Sequence, residues 1–212
     1  ILTLAIIVTC INLQAQFVNQ LIYKRSFSTH QVDSILQANG VPSGVFPITY
    51  GAKAYKIIYN TVDWDSMPTI ASGLLMVPIN PVCKVPLISY QHGTTLKKTD
   101  VLSNFSGEWY LGLAGAANGN VMVMPDYLGL GSSPGLHPYQ HAHTEATAVI
   151  DMIRAAKEVV DTMGAPVNDQ LFLFGYSQGG HATMAAHQLI QEKLDNVMHV
   201  TASAPMSGAY DM

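Results

Sequence analysis

The chain has 212 residues, 49% of them hydrophobic and 11% charged, with a net charge of −4. That length supports one domain with a sizeable buried core and is too short for two comfortable ones. Its ten Lys and Arg are scattered without a basic stripe, so the electrostatic footprint of a nucleic-acid binder is missing and no nucleic-acid partner is expected.

Ile1 to Cys10 is an apolar run followed by Leu13-Gln14-Ala15-Gln16, the pattern of a secretory h-region and its small-residue cleavage site. Residues 1–15 therefore read as a signal peptide and residues 16–212 as an exported domain. A buried terminal strand is the alternative, because the run has no initiator Met and no basic flank. It is well short of the roughly 20 apolar residues a bilayer needs, so no integral membrane span is expected. Lipid anchoring through Cys10 fits poorly, since Thr9 stands where a smaller residue is expected. With cleavage after Ala15, Cys83 is left without a partner and reads as an inert loop thiol.

After a polar segment, Ser28-Thr29 opens a helical pattern with Val32, Ile35 and Leu36 on one face, closed by Asn39-Gly40. Ala54 to Val62 and Ile70 to Val77 are rich in Tyr, Ile, Val and Thr and flank a turn-like hexapeptide, Asp63 to Pro68, which predicts an antiparallel hairpin. Leu87 to Tyr90 is a short strand running into Gln91-His92-Gly93-Thr94-Thr95. Trp109, Leu111, Leu113 and Ala116 suit a helix within Gly107 to Asn118, and Val121 to Met124 is a fully apolar strand. The pattern has switched to alternating strand and helix.

Asp126 to His143 is too long for a routine connection and is a candidate functional loop at the carboxyl end of a strand. Thr144 is the expected cap of a strong helix with Ala146, Val149, Ile150, Ile153, Val160 and Met163 as its apolar stripe. Arg154 with Glu158 and Lys157 with Asp161 are the expected outside pairs, and Gly164 and Pro166 the terminators. Val200 to Ala204 reads as one more strand.

Between these lies Leu171-Phe172-Leu173-Phe174-Gly175-Tyr176-Ser177-Gln178-Gly179-Gly180, a strand buried on both faces, then a serine bracketed by glycines, then a helix from Gln178 to Leu194 with Met184, Ile190 and Leu194 inward. Gly175-x-Ser177-x-Gly179 is the nucleophile-elbow pattern, in which small flanking residues let strand and helix approach and a strained turn exposes the serine. Ser177 at a helix start sits where unpaired N–H groups and the positive dipole end favour a developing negative charge. The Gln178 N–H is the expected oxyanion donor.

Four blocks, Tyr90-Gln91-His92-Gly93-Thr94, Pro125-Asp126-Tyr127-Leu128-Gly129-Leu130-Gly131, His137-Pro138-Tyr139 and Gly175 to Gly180, resemble the secreted lipases of the Candida type and their bacterial relatives, which have the α/β-hydrolase fold. The resemblance implies a mostly parallel sheet with helices on both faces, an N-terminal antiparallel hairpin, and no metal or other cofactor. It places the second oxyanion donor on the His92-Gly93-Thr94 loop, at the N–H of Thr94 with Thr95 next. His92, Gly93, Asp126, Tyr127 and Tyr176 are the expected substrate-pocket loop residues. His92 should shape the loop through hydrogen bonds to its backbone, and Asp126 should tie the long loop down. The cluster His137, His141 and His143 reads as polar loop residues, because no cysteine joins it and no carboxylate lies between.

The implied activity is secreted serine ester hydrolysis on a small-molecule or lipid ester, through an acyl-enzyme on Ser177. A serine peptidase of the prolyl-peptidase type shares the elbow, and a binding module that kept the sheet and lost catalysis is the reading from another class. In this fold the acid and the histidine come after the nucleophile in chain order. The candidates beyond Ser177 are Glu192, Asp195 and Asp211, with His181, His187 and His199, and none matches the family's later strands. The expectation is a C-terminally truncated domain whose last strands, acid and histidine lie beyond Met212. Residues 16–212 alone should then be nearly inactive. The check is to compare their ester turnover with that of the chain extended through the next Asp and His; turnover within about tenfold of the extended form would place the base inside this sequence, at His199 or the His137 to His143 cluster.

Overall fold

The structure, a computed structural model, describes residues 16–211; the expected signal peptide over residues 1–15, with Cys10, lies outside them. Among the described residues the strands β1 (Val18–Phe27), β2 (Ala52–Val62), β3 (Pro68–Pro78), β4 (Val85–Gln91), β5 (Val121–Pro125), β6 (Val167–Tyr176) and β7 (Ala202–Met206) form one sheet, ordered β1-β2-β3-β5-β4-β6-β7. The helices α1 (Thr29–Ala38), α2 (Trp109–Ala117), α3 (Ala142–Val160) and α4 (Gln178–Lys193) pack on its two faces.

The hairpin forms as its composition predicts. β2 and β3 pair antiparallel without a register break from Ala52↔Pro78 to Val62↔Pro68, and Asp63 Oδ1 closes the turn by accepting from the N–H groups of Asp65 (3.0 Å) and Met67 (2.9 Å). β5, β4, β6 and β7 run parallel to one another, so Pro125, Gln91, Tyr176 and Met206 end on one rim. Burial on both faces explains the unbroken apolar runs. Leu75, Val77, Val121 and Val123 face α3 and α4, while Leu74, Met76, Met122 and Met124 face α1 and α2. α1 starts with a capping box, the Ser28 hydroxyl accepting from Gln31 N and the Gln31 side chain accepting from Ser28 N.

One strand went unpredicted and four expectations are corrected. The polar segment before Ser28 is β1, an edge strand with only Phe27 buried; two register irregularities against β2 break its period-two alternation. The residue capping α3 is His141, and Thr144 lies inside the first turn, its Oγ1 donating to His141 O at 3.1 Å. The outside pairs do not form among the described residues. Arg154 instead bonds Asp151 at 3.0 Å, and Glu158 accepts from the N–H groups of Phe17 (2.8 Å) and Val18 (3.0 Å), because backbone donors at the start of β1 need an acceptor more than an exposed lysine or arginine does. Met184 is 40% exposed, and the buried face of α4 is carried by Ala182, Thr183, Ala186 and Ile190. The last strand begins at Ala202, two residues later than expected, since Thr201 caps the start of the pairing by bonding Leu171 through both its N–H and its hydroxyl.

The strand order reverses at β4: the chain crosses through α2 to β5 on one side, and through α3 to β6 on the other. In open α/β sheets the crevice at such a switch point, outside the carboxyl ends of the strands, is where ligands bind. Here that crevice is bounded by Gln91 and its following loop on β4 and by Ser177 after β6.

α3 also buries a carboxylate. Asp151 accepts from Thr61 Oγ1 at 2.8 Å and from Arg154 at 3.0 Å, and burial raises its pKa above the ordinary value of 3.8, against the opposing pull of those two partners. A native pKa above the unfolded one gives stability that is present below the unfolded pKa and lost as pH rises through the native one. Asp151→Asn is thus expected to flatten the decline in unfolding free energy as pH rises from below 3.8 towards neutrality. Urea titrations of both proteins across that window check it, and parallel profiles would contradict it.

Candidate active site

β6 delivers Ser177 to the rim in a conformation most residues avoid. Its φ of 58° and ψ of −121° lie in a region that costs a non-glycine residue about 1–3 kcal/mol and persists only where the surroundings enforce it. The enforcement is visible. Ser177 N donates to Met206 O at 3.0 Å, while Ser177 O accepts from Gly180 N (2.9 Å) and His181 N (3.2 Å) in the first turn of α4. A Cβ on Gly175 would overlap the Gly179 carbonyl, a Cβ on Gly179 would overlap that of Gln91, and one on Gly180 would overlap that of Met206. The small residues of the elbow are therefore what lets α4 sit down between β4, β6 and β7.

Ser177 is half-buried. Gln178 is fully buried, and its backbone N–H, first in α4, has no intrahelical acceptor. Gly93 stands directly across the crevice, where a Cβ would lie 4.0 Å from Ser177 Cβ and 3.6 Å from Tyr176 O. Thr94 follows on the exposed side, its Oγ1 in a 2.9 Å hydrogen bond with Tyr139 OH. A cavity of about 420 Å³ opens here, bounded by His92, Gly93, Thr94, Tyr176 and Ser177, and across from them by Asp100 and Glu108. The Gly93–Thr94 turn, Ser177 and Tyr176 thus meet at one place.

His92 is buried, its Nδ1 2.6 Å from Gly93 O and its Nε2 3.4 Å from Asp126 O, with its ring 4.4 Å from that of Tyr127. Both neighbours are main-chain carbonyls, and the ring N–H, on whichever nitrogen carries it, donates to one of them, so the ring braces the loop. Asp126 is fully buried, accepting from Ser72 Oγ (2.6 Å), Ser103 Oγ (2.6 Å) and Ser103 N (3.1 Å), which joins the long loop to β3 and to the Leu102–Asn104 turn. Tyr127 is buried too, donating to His92 O at 3.0 Å. Burial first, and the nearby Glu145 carboxylate second, hold its phenol well above the usual range. Asp126 and Tyr127 therefore lie beneath the cavity, outside its lining, and hold the loop that borders it. The reason is that their loop turns inward to satisfy a carboxylate and a phenol that water cannot reach. Tyr176 is 59% exposed at the cavity mouth.

The histidine cluster is split by the fold. His137 faces inward, with Nδ1 2.8 Å from Leu128 O and Nε2 2.7 Å from Gln178 Nε2; His141 and His143 are exposed on α3 and its cap. Among the described residues no group of three or more His, Cys, Asp or Glu is arranged to hold a metal ion. His187 bonds Ser203 Oγ at 2.8 Å, His199 pairs with Asp195 at 3.3 Å on the surface, and Asp211 is exposed. None of these histidines is hydrogen-bonded to Ser177. Sequence reasoning missed Glu145, which is 1% exposed and bonded to both Gln178 and His181. Its signal was legible: Glu145, Val149, Met152 and Ala156 recur on one buried helix face, and only the first is charged.

Residues 107–201 match the secretory lipase family. A Legionella pneumophila protein provisionally classed as a hydrolase is 38% identical, with a TM-score of 0.83 over 91% of this chain and 52% of that one. The rice cell wall degrading esterase LipA from Xanthomonas oryzae is 30% identical, with a TM-score of 0.80 over 91% of this chain and 50% of that one. Candida antarctica lipase A, at 20% identity and a TM-score of 0.58 over 89% of this chain and 41% of that one, shares the fold. The chain thus spans about half the length of these solved relatives. No curated protein matches it significantly. The fold is that of the α/β-hydrolases, and residues 107–201 resemble the secretory lipases.

The close approach of α4 to β4 yields a stability prediction. Gly179→Ala must displace either the Gln91 carbonyl or the helix, and should cost about 1–3 kcal/mol, read as a lowered urea midpoint. An unchanged midpoint would show that the contact is slack.

Proposed function

We propose that this chain, an α/β-hydrolase similar to the secretory lipases, acts in the hydrolysis of carboxylic esters by a secreted protein, with Ser177 as the nucleophile. The observation that carries the reading is the half-buried Ser177, held at φ 58° between β6 and α4, across from the Gly93–Thr94 turn. Ser177 Oγ attacks the acyl carbonyl and passes its proton to a general base. The tetrahedral oxyanion accepts hydrogen bonds from the N–H groups of Gln178 and Thr94. Collapse expels the alcohol and leaves an acyl-enzyme on Ser177, which water then hydrolyses. The positive end of the α4 dipole adds to the same stabilisation.

Thr94, Thr95, Asp100, Ser106 and Glu108 give the cavity a polar wall. That wall supports esters carrying hydrogen-bonding groups near the scissile bond over unbroken alkyl chains. Export is supported by the signal-like residues 1–15 and by the family resemblance; among the described residues no helix is long and apolar enough to cross a membrane.

The test uses the natural full-length protein on p-nitrophenyl esters of increasing acyl length and on aminoacyl-anilides. Esters should be turned over and anilides should not, and Ser177→Ala should lower kcat by at least about 10³-fold. Preferential cleavage of the anilides would point to a peptidase of the prolyl-peptidase type. Ligand binding without turnover of any ester would point to a silent binding module.

A further inference from the structure

Glu145 sits in the first turn of α3, almost completely buried, and no lysine or arginine among the described residues pairs with it. A carboxylate in that position costs several kcal/mol unless its oxygens are met by donors. They are met, and two of the three donors come from one place. Oε1 accepts from Gln178 Nε2 at 2.7 Å and from Gln140 N at 3.2 Å, and Oε2 accepts from His181 Nδ1 at 2.7 Å. Gln178 and His181 are the residues one and four positions after Ser177, neighbours on one face of the first turn of α4.

The Gln178 amide is fully committed on its nitrogen and free on its oxygen. Nε2 contacts Glu145 Oε1 and His137 Nε2, both at 2.7 Å, while Oε1 has no partner among the described residues. Its second proton can go to His137 only if Nε2 of that ring accepts, so the ring proton sits on Nδ1 and is donated to Leu128 O. The chain of contacts runs from the long loop, through His137 and Gln178, to Glu145 and back to His181. A single carboxylate on α3 therefore holds the first turn of α4, in addition to the contact between Ser177 N and Met206 O.

We propose that Glu145 is the positioning residue of the oxyanion hole: by clamping the Gln178 and His181 side chains it fixes the direction of the Gln178 N–H. The proposal rests on the reading of Ser177 as the nucleophile and of Gln178 N–H as an oxyanion donor. Glu145 touches no reacting atom and acts through the turn it clamps. A strained turn such as that at Ser177 keeps its geometry only when several contacts over-determine it, and this clamp is one that side chains supply. Loosening it should tilt the donor without removing it, a displacement to which rate is far more sensitive than ground-state binding.

The test is kinetic, in the natural full-length protein, with Ser177→Ala as the reference. Glu145→Gln keeps the volume and one acceptor but presents an amide donor to His181; Gln178→Ala keeps the backbone donor and deletes the clamped side chain. In each folded variant kcat on p-nitrophenyl acetate should fall about 10- to 100-fold with KM within about threefold, and the Ki of an aryl trifluoromethyl ketone, whose hemiketal oxyanion would occupy the hole, should rise by a similar factor. If Glu145→Gln does not fold, Gln178→Ala decides. If kcat and the ketone Ki are unchanged while Ser177→Ala is inactive, the positioning role is wrong and the nucleophile stands. A rise in KM at constant kcat overturns it equally. Full activity in Ser177→Ala removes the functional reading, and this proposal with it.

Discussion

The backbone of Gly179 lies against the carbonyl oxygen of Gln91, and the geometry of the site depends on that contact. β4 and α4 meet with no side chain between them, which brings the loop after β4 to the turn after β6. One methyl group at Gly179 would separate them. Because they touch, the Gly93–Thr94 segment faces Ser177 across the crevice. The strain at Ser177 is the consequence of ending a buried strand and starting a helix within one residue, and it is held by Met206 O and by the Glu145 clamp.

The second constraint is the placement of buried polar groups under the cleft. Asp126, His92, Tyr127, His137, Gln178 and Glu145 find partners among themselves, in nearby main-chain groups and in the side chains of Ser72, Ser103 and His181. In a low-dielectric interior such a network is costly if broken and stiff if complete. It fixes the long loop after β5 as a floor, with Asp126 tying it to β3 through Ser72 and to the Leu102–Asn104 turn through Ser103. The exposed residues of the same loop, Tyr139 among them, are then free to shape the wall.

Much of this was legible in the sequence where a requirement is local. The elbow glycines announce themselves because close approach of backbones permits no substitute, and the apolar runs of β3, β5 and β6 because both faces of the sheet are covered. The hairpin and the capping box of α1 are likewise written in adjacent residues. What stayed hidden was assembled from distant parts. β1 lost its alternation to two bulges, Glu158 turned to the start of β1 and Arg154 to Asp151 in place of each other, and Glu145 draws its donors from α4 and from the loop before α3. A charged residue on an apolar helix face was the one trace of that last arrangement in the sequence.

The central claim is that Ser177 is the atom-bearing nucleophile of an ester hydrolase, and its most direct test is chemical. The natural full-length protein is treated with a fluorophosphonate and digested, and the modified peptide is located by mass spectrometry. The account predicts a single phosphonyl adduct on Ser177, formed in step with loss of ester turnover. An adduct on another serine, or complete inactivation with Ser177 unmodified, would contradict it.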